Sequence, residues 1–210
     1  MSHNGSFKDD YESEATQLVI HSRRYSLLVP SRLEPFVNPL DPMAEFPLWA
    51  KVWPASIILS EWVARLKPDP QRTLLEIGGG LGLTSIVAAS YGHRITFSEG
   101  NADALRFARA SAGLNPGGQF PLVAHDWNHP GEIGRFDMVL GSEVVYRESD
   151  IPLLKKVIDA CLAPGGQVVL SGEIRRTTDK FFEIMSKTFE ISAQRKQLKS
   201  DDEAHTVGLF

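Results

Sequence analysis

From residue 50 onwards, short apolar runs alternate with stretches whose apolar residues recur at helical spacing. This alternation predicts a mostly parallel β-sheet with helices on both faces, because parallel strands need long crossover connections. The predicted strands are Thr73–Ile77, Arg94–Ser98, Phe120–Ala124, Phe136–Gly141, Gln167–Ser171, Phe189–Gln197 and His205–Phe210. The last two strands are joined by a charged turn that leaves no room for a crossover helix. We therefore expect seven strands and an antiparallel pair at the end of the sheet.

The chain before residue 50 does not show this alternation. Residues 1–14 are polar and are predicted to form a mobile tail. Two β-type runs, Gln17–Ile20 and Tyr25–Val29, surround a polar turn and predict a small N-terminal β-hairpin. Residues 31–47 are rich in proline and predict a connecting arm. We expect one α/β domain over residues 15–210, with the hairpin and arm at 15–48 and a Rossmann-like core at 49–210.

Polar residues mark the starts of two predicted helices. Asn101 follows the second strand of the sheet, and Thr178 follows the fifth. Their side-chain oxygens are the type that accepts hydrogen bonds from the free N–H groups of a first helical turn, so both residues are predicted helix caps.

Charge and cysteine content limit the partners and the compartment. The formal net charge is −4 and the pI is about 5.9, which leaves no basic field for nucleic acid or an anionic membrane. A basic cluster of Arg175, Arg176 and Lys180 is too small to change this. The single cysteine, Cys161, excludes an internal disulfide and fits a reducing compartment. Without a secretory signal or a long apolar run, we expect a cytoplasmic monomer.

A glycine-rich loop, Gly78–Gly80 and Gly82, follows the first strand of the predicted sheet. Open α/β sheets bind ligands beyond the carboxyl ends of their strands, so this loop is predicted to approach a ligand; a tight strand-to-helix turn is the alternative. A triphosphate loop is excluded, because no lysine follows the glycines. The dinucleotide pattern Gly-x-Gly-x-x-Gly/Ala fits imperfectly, since its last position falls on Leu83 or Ser85.

Acidic side chains around the loop favour one of the remaining cofactors. Glu76 lies just ahead of the glycines, where it would crowd a pyrophosphate but attract the sulfonium and ammonium groups of S-adenosylmethionine. Glu99 ends the second strand, where a carboxylate accepts hydrogen bonds from ribose hydroxyls in either cofactor. Asp126 and Trp127 follow the third strand and suit adenine by hydrogen bonding and stacking, although the tryptophan could instead cover the sheet edge.

The fourth strand ends in a polar segment that contains Ser142, Glu143 and Tyr146. When a neutral amine attacks a sulfonium, positive charge moves from sulfur to nitrogen, and a nearby carboxylate stabilises it. Glu143 is therefore predicted to orient the acceptor amine, and Tyr146 to bond the nitrogen or wall the channel. The alternative is that Glu143 caps the next turn and Tyr146 only packs.

Five segments occur together in the order of a known family. They are Trp49-Ala50-Lys51-Val52-Trp53-Pro54-Ala55, Leu75-Glu76-Ile77-Gly78-Gly79-Gly80-Leu81-Gly82, Ser98-Glu99, Asp126-Trp127 and Gly141-Ser142-Glu143-Val144-Val145-Tyr146. Over roughly residues 15–210 the chain resembles the seven-β-strand protein lysine methyltransferases, also called methyltransferase family 16. The resemblance implies S-adenosylmethionine as cofactor, contacted by Trp53, Glu76, Gly78, Gly80, Glu99, Trp127 and Ser142. It also implies that Glu143 and Tyr146 lie at the acceptor lysine.

Two residues depart from the family pattern, which more often has aspartate at the positions of Glu143 and Glu99. The cofactor expectation is unaffected, whereas the acceptor stays open between a protein lysine and a small-molecule amine. Two further functions compete with methyl transfer, namely that of an NAD-dependent oxidoreductase and that of a catalytically inactive binding module. A metal site at His125 and His129 is not expected, because the sequence places no further ligand nearby.

Overall fold

A seven-stranded sheet forms the centre of this computed structural model, which describes residues 7–38, 40, 46–199 and 204–210. The strands are β1 (Ser13–Ile20), β2 (Arg23–Pro30), β3 (Thr73–Glu76), β4 (Arg94–Glu99), β5 (Leu122–Ala124), β6 (Phe136–Ser142), β7 (Leu162–Glu173), β8 (Gln194–Lys199) and β9 (Ala204–Leu209). The α-helices are α1 (Phe7–Asp10), α2 (Pro54–Arg65), α3 (Leu83–Ser90), α4 (Ala102–Ala112), α5 (Ile151–Cys161) and α6 (Arg176–Met185). None of the described helices has the length and apolar character needed to cross a membrane.

The strands of the large sheet lie in the order β5-β4-β3-β6-β7-β9-β8. Strands β3 to β7 pair in parallel, whereas β9 is antiparallel to both β7 and β8. The predicted fold class, with its antiparallel end and Rossmann-like core, is confirmed. The chain runs outwards from β3 to β5 and then returns to the other side of β3 at β6. The strand order therefore reverses between β3 and β6, where open sheets of this kind bind ligands.

Both faces of the sheet are covered by apolar side chains. Leu74 of β3 belongs to a core cluster shared with α2, α3 and the hairpin, while its neighbour Leu75 belongs to a second cluster shared with α5 and α6. Both leucines are fully buried, as expected for adjacent residues that point to opposite faces of a strand. Burial on both faces explains why the parallel strands read as continuous apolar runs in the sequence.

The predicted hairpin is confirmed and packs against the domain. His21 and Ser22 occupy its turn with positive φ values of 45° and 67°. On the side of α4, the Leu28 N–H donates to the Ser111 hydroxyl at 2.9 Å. The Asn115 side chain bonds both backbone groups of Ser26, at 2.9 and 2.7 Å. These bonds fix β2 over the helix that begins at the carboxyl end of β4.

Residues 7–14, the described part of the predicted mobile tail, contact the domain; residues 1–6 lie outside the described residues. Phe7 of α1 and the following Tyr11 pack against Phe107 of α4, with ring centroids 4.9 and 5.0 Å away. The Tyr11 hydroxyl donates to Asp103 at 2.6 Å. Two aromatic anchors in a polar segment hold it in place, and β1 already begins at Ser13.

Strand β8 starts later than predicted. The expected strand Phe189–Gln197 begins only at Gln194, because Phe189 and Ile191 pack against the second core cluster instead. The Phe189 N–H also bonds the Met185 carbonyl at 2.8 Å, which extends the turn after α6.

Of the two predicted helix caps, one is confirmed and one is wrong. The Asn101 side chain accepts hydrogen bonds from the N–H groups of Asp103 and Ala104 at the start of α4. Helix α6 instead begins at Arg176, ahead of Thr178. The Thr178 hydroxyl reaches back from the third helical position and accepts a hydrogen bond from the Arg175 N–H at 3.1 Å.

Candidate active site

A cleft of about 790 Å³ opens at the carboxyl ends of the parallel strands. It brings together nine of the residues predicted from the sequence, namely Trp53, Gly78, Gly80, Glu99, Asp126, Trp127, Ser142, Glu143 and Tyr146. They come from the arm before α2, from the carboxyl ends of β4 and β6, and from the loops after β3, β5 and β6. Predicted cofactor and acceptor residues therefore share one cavity at the point where the strand order reverses.

The glycine loop connects β3 to α3 through backbone that only glycine adopts easily. Gly78, Gly80 and Gly82 have φ values of 58°, 54° and 83°, in the left-handed region. Gly79 is required for a different reason, since a Cβ atom there would lie 2.4 Å from the ring of buried Phe97. The loop thus lies directly on the β4 side chains and exposes backbone to the cleft.

Glu76 and Gly82 are not among the residues that line the cleft. Glu76 is 1% exposed, and its Oε2 accepts hydrogen bonds from the Ser85 N–H at 2.9 Å and the Ser85 hydroxyl at 2.5 Å. Burial raises the pKa of Glu76 to about 7, against the lowering effect of these bonds. Gly82 caps α3 and faces Ala108 of α4. Glu76 therefore supports the loop from beneath, and its predicted cofactor contact stays a prediction.

Glu99 at the end of β4 does reach the cleft. Its Oε2 accepts a hydrogen bond from the Gly80 N–H at 3.0 Å, and its Oε1 accepts bonds from Gly100 and Asn101 at 2.7 and 2.9 Å. The carboxylate therefore ties the glycine loop to the start of α4. A carboxylate has about four lone-pair sites, so the three backbone bonds leave about one site for a ribose hydroxyl.

Trp127 lies beside the glycine loop, 3.5 Å from the position that a Cβ atom on Gly78 would occupy. The preceding Asp126 is exposed and accepts hydrogen bonds from the backbone and side chain of Asn128, at 2.9 and 2.8 Å, and from His129 at 3.0 Å. Those bonds, the Asn128 N–H foremost, lower the pKa of Asp126. The Trp127 indole is thus available as a flat wall of the cleft, whereas the Asp126 carboxylate is already hydrogen-bonded within its own loop.

Trp53 also lines the cleft. It precedes α2, whose first residue is Pro54, and its indole N–H donates to the Leu48 carbonyl at 2.7 Å. The Lys51 ammonium lies 5.1 Å from the centroid of the same ring. The hydrogen bond fixes the ring, which explains how an arm with only short 3-10 helices can present a defined wall.

Glu143 occupies a strained position directly after β6. Its φ of 53° is unusual for a residue other than glycine, and such outliers cluster at functional sites. The backbone is held by a bond from its N–H to the Ser171 carbonyl at 2.8 Å. Its Oε1 accepts a hydrogen bond from the Glu173 N–H at 2.9 Å. The side chain is only 18% exposed, and burial raises the pKa of Glu143.

Arg175 is a site residue that the sequence reasoning missed, since it was treated as part of a small basic cluster. Its Nη1 lies 3.5 Å from the Oε2 of Glu143, and its guanidinium carbon lies 5.1 Å from the centroid of the Tyr146 ring. Tyr146 itself is 46% exposed at the cleft mouth. Its position could have indicated a place in the cleft, because Arg175 follows the carboxyl end of β7, and β7 lies beside β6 in the sheet.

The described part of the chain contains no group of three potential metal ligands. His125 is buried, with its ring nitrogens 3.3 Å from the Ser98 hydroxyl and 3.3 Å from the Pro130 carbonyl. His129 bonds Asp126 on the surface. The two histidines therefore serve separate local structures.

Comparisons with known proteins agree with this site. A family model described as lysine methyltransferase matches residues 48–188, about two thirds of the chain. The chain is 28% identical over 130 residues to EEF1A lysine methyltransferase 3 of Mus musculus, covering 60% of this chain and 56% of that protein. It is 30% identical over 141 residues to Protein N-lysine methyltransferase METTL21A of Danio rerio, covering 63% and 64%.

A solved structure, the SAM-dependent methyltransferase from Agrobacterium tumefaciens, superposes with a TM-score of 0.66. The match covers 93% of this chain and 68% of that chain at 16% identity, which shows a shared fold. The matched segments span less than two thirds of the length of the two curated relatives. The family model, however, covers every segment that lines the cleft from Leu48 to Arg175, and the chain belongs to the lysine methyltransferase family.

Proposed function

We propose that this protein transfers the methyl group of S-adenosylmethionine to the side-chain amine of a lysine in another protein. The observation that carries this proposal is the single cleft shared by the glycine loop and by the Glu143–Tyr146 pair. A cofactor held by the loop would have its reactive end within the same cavity as a carboxylate suited to an amine. Family membership and the printed names of the two curated relatives support the lysine acceptor.

The lining of the cleft fits S-adenosylmethionine better than a dinucleotide. Among the described residues, the charged side chains on its walls are the carboxylates of Glu99, Asp126, Glu143 and Asp150 and the cations of Lys51, Arg147 and Arg175. The carboxylates outnumber the cations, and one of them bonds the glycine loop itself, which disfavours a pyrophosphate and favours a cationic ligand. In this proposal the loop backbone contacts the methionyl part of the cofactor, Glu99 bonds the ribose and Trp127 stacks on the adenine. Trp53 contacts the cofactor from the arm before α2.

The cofactor, when bound, supplies a methyl group on a positively charged sulfur. The residues of this chain must then present the lysine Nζ as a neutral amine, because free lysine, with a pKa near roughly 10.4, is mostly protonated at neutral pH. Removal of the amine from water in the cleft favours its neutral form, and the proton is released to solvent before the transfer.

During transfer the new N–C bond forms as the C–S bond breaks, so positive charge moves onto the nitrogen. Glu143 stabilises that charge and directs the lone pair through its carboxylate. Tyr146 lies at the mouth of the cleft, where its ring can wall the channel that the aliphatic part of the lysine follows. Ser142 ends β6 beside them, and in this proposal it contacts the cofactor.

We further propose that the protein acts in the cytoplasm. The support is that the sequence has only one cysteine, the buried Cys161, which leaves no pair for an internal disulfide and fits a reducing compartment. Localisation of a fluorescently tagged full chain tests this proposal.

The test of the proposed function is a methylation assay with labelled S-adenosylmethionine and whole-cell extract, followed by acid hydrolysis and separation of the labelled amino acids. We expect label in methylated lysine of one or a few proteins. Label confined to small molecules would overturn the protein acceptor, and label in methylated arginine would overturn the lysine acceptor. Calorimetry with S-adenosylhomocysteine and with NAD tests the cofactor separately; binding of NAD alone would refute it.

A further inference from the structure

The guanidinium of Arg175 occupies the acceptor end of the cleft together with the two groups assigned to the lysine. Its Nη1 is 3.5 Å from the Glu143 carboxylate, and its central carbon is 5.1 Å from the Tyr146 ring centroid. The positive charge of Arg175 therefore lies a few ångströms from the place proposed for the acceptor lysine, whose nitrogen also becomes positively charged. The chemistry of the transfer gives this arrangement a purpose.

A carboxylate alone beside the acceptor would work against the reaction at neutral pH. It stabilises the lysine as an ammonium ion, whose nitrogen has no free lone pair. The ammonium carries a full positive charge, whereas the nitrogen carries only part of that charge in the transition state. A second, positive group near Glu143 therefore suppresses the protonated form more than it slows the transfer.

We propose that Arg175 is a positioning residue that neutralises Glu143, so that the acceptor lysine is held in the cleft as a neutral amine. This inference rests on the proposed function, because it concerns the acceptor of that reaction. It assigns a role to a residue outside the Glu143–Tyr146 motif.

The contacts of Arg175 show that its charge is held in place. Its Nε and Nη2 both donate to one oxygen of Glu173, at 3.1 and 2.6 Å. Its backbone N–H bonds the Thr178 hydroxyl at the start of α6. Nη1, by contrast, is buried and makes no hydrogen bond within the described residues. The arginine is thus anchored by one side and presents the other to Glu143.

The remaining charged groups near Glu143 do not replace this effect. The Glu173 backbone N–H bonds Glu143, and the Glu173 carboxylate, which Arg175 engages, raises the pKa of Glu143, whereas Arg175 lowers it. The Arg147 guanidinium bonds Asp150 at 2.9 Å, and Lys51 lies over Trp53. Glu99 and Asp126 line the cofactor end, and Tyr146 is a further titratable group on the loop after β6. Among these groups, Arg175 is the cation whose charge acts on Glu143.

The experiment compares the pH dependence of kcat in the wild-type protein and in Arg175→Gln. The probe is the extract protein that takes up label in the assay above, purified and supplied above its KM between pH 6.5 and pH 10. Arg176→Gln is the matched control, because it removes an equal charge from the neighbouring, exposed position outside the cleft. Arg175→Lys tests whether the charge alone suffices, and Arg175→Ala takes the place of Arg175→Gln if the latter does not fold.

A like charge within a few ångströms lowers the pKa of an amine by about one to three units. In Arg175→Gln we therefore expect the apparent pKa of kcat to rise by at least about one unit, which reduces the neutral amine about tenfold near pH 7. The limiting rate at high pH should be equal to or above that of wild type, so the net fall at pH 7 is about threefold to tenfold. Arg175→Lys and Arg176→Gln should keep the wild-type profile.

Each other outcome overturns the inference in a recognisable way. A lower rate at every pH with an unmoved pKa would assign Arg175 a structural role only. A higher KM with an unchanged kcat profile would make it a contact for the rest of the substrate. If the wild-type protein labels lysine and Arg175→Gln has the same profile, this inference alone fails. If the wild-type protein labels no lysine, the proposed function fails and this inference with it.

Discussion

Glu76 is a buried acid, and its environment makes the stability of the protein depend on pH. The side chain is 1% exposed, and burial raises its pKa from 4.5 to about 7. The folded state therefore binds this proton more tightly than the unfolded state. The stability contributed by the protonated group is fully present below about pH 4.5 and is lost as the pH rises through 7.

The size of the effect follows from the two pKa values. The difference between 4.5 and about 7, at about 1.4 kcal/mol for each pH unit, gives about 3 kcal/mol. Between pH 5 and pH 8, about 2–3 kcal/mol of this is lost from the free energy of unfolding. Glu76→Gln removes the titration but keeps an oxygen that can accept the two bonds from Ser85. The variant should therefore gain stability relative to wild type as the pH rises.

The assay is urea unfolding of wild type and Glu76→Gln at pH 5, 6, 7 and 8, followed by circular dichroism. The difference between the two free energies of unfolding is the measured quantity, because the titration of all other groups cancels in it. Glu190→Gln, at an exposed position on the surface, is the matched control. A wild-type minus Glu76→Gln difference that stays constant within about 1 kcal/mol from pH 5 to pH 8 would refute the reasoning.

Three further predictions concern the cleft. Gly79→Ala places a Cβ atom 2.4 Å from the Phe97 ring, so thermal unfolding should show that the free energy of unfolding falls by about 1–3 kcal/mol. The control Gly113→Ala, where the contacts are ordinary and φ is helical, should be nearly neutral. Trp127→Ala should raise the Kd for S-adenosylhomocysteine about tenfold to a hundredfold in calorimetry, since it removes a stacking surface; an unchanged Kd contradicts the adenine assignment. Glu143→Gln should lower kcat in the labelled-methyl assay about a hundredfold while cofactor affinity stays within twofold, and equal activity would exclude Glu143 from the acceptor site.

The sheet and most of the cleft are predictable from local sequence rules. Continuous apolar runs predict strands buried on both faces, and the glycines after the first run mark the loop at the ligand edge. Because parallel strands end at one edge of a sheet, polar residues that follow successive strands must meet there. Glu99, Trp127 and Glu143 are brought together for this reason, although they are separated by long stretches of sequence.

The orientation of Glu76 could have been derived from the same rules. Side chains alternate along a strand, so Glu76 points to the same face as Leu74, which is the face covered by α3. Its carboxylate therefore meets Ser85 of α3 beneath the loop. Proximity to the glycines in sequence suggested the cleft, but the two-residue period of the strand determines the direction.

The role of Arg175 depends on information that local patterns do not contain. Its contact with Glu143 requires β7 to lie beside β6 and the chain to turn at once into α6. The anchoring of residues 7–14 is similar, because Phe7 and Tyr11 are four residues apart and form one apolar stripe only if the segment turns as a helix. In both cases the contact depends on an element that is distant in the sequence.

The position of β9 between β7 and β8 has a consequence for how the chain is made. Synthesis proceeds from β7 to β8 and then to β9, yet β8 joins the large sheet through β9. During translation β8 therefore has no sheet partner until β9 has emerged, and its edge stays exposed for that interval. The antiparallel end must therefore dock as a preformed β8–β9 hairpin, or β9 must pair with β7 first and β8 afterwards. Substitutions that slow the pairing of β8 with β9 should increase aggregation of newly made chains before they reduce the stability of the finished protein.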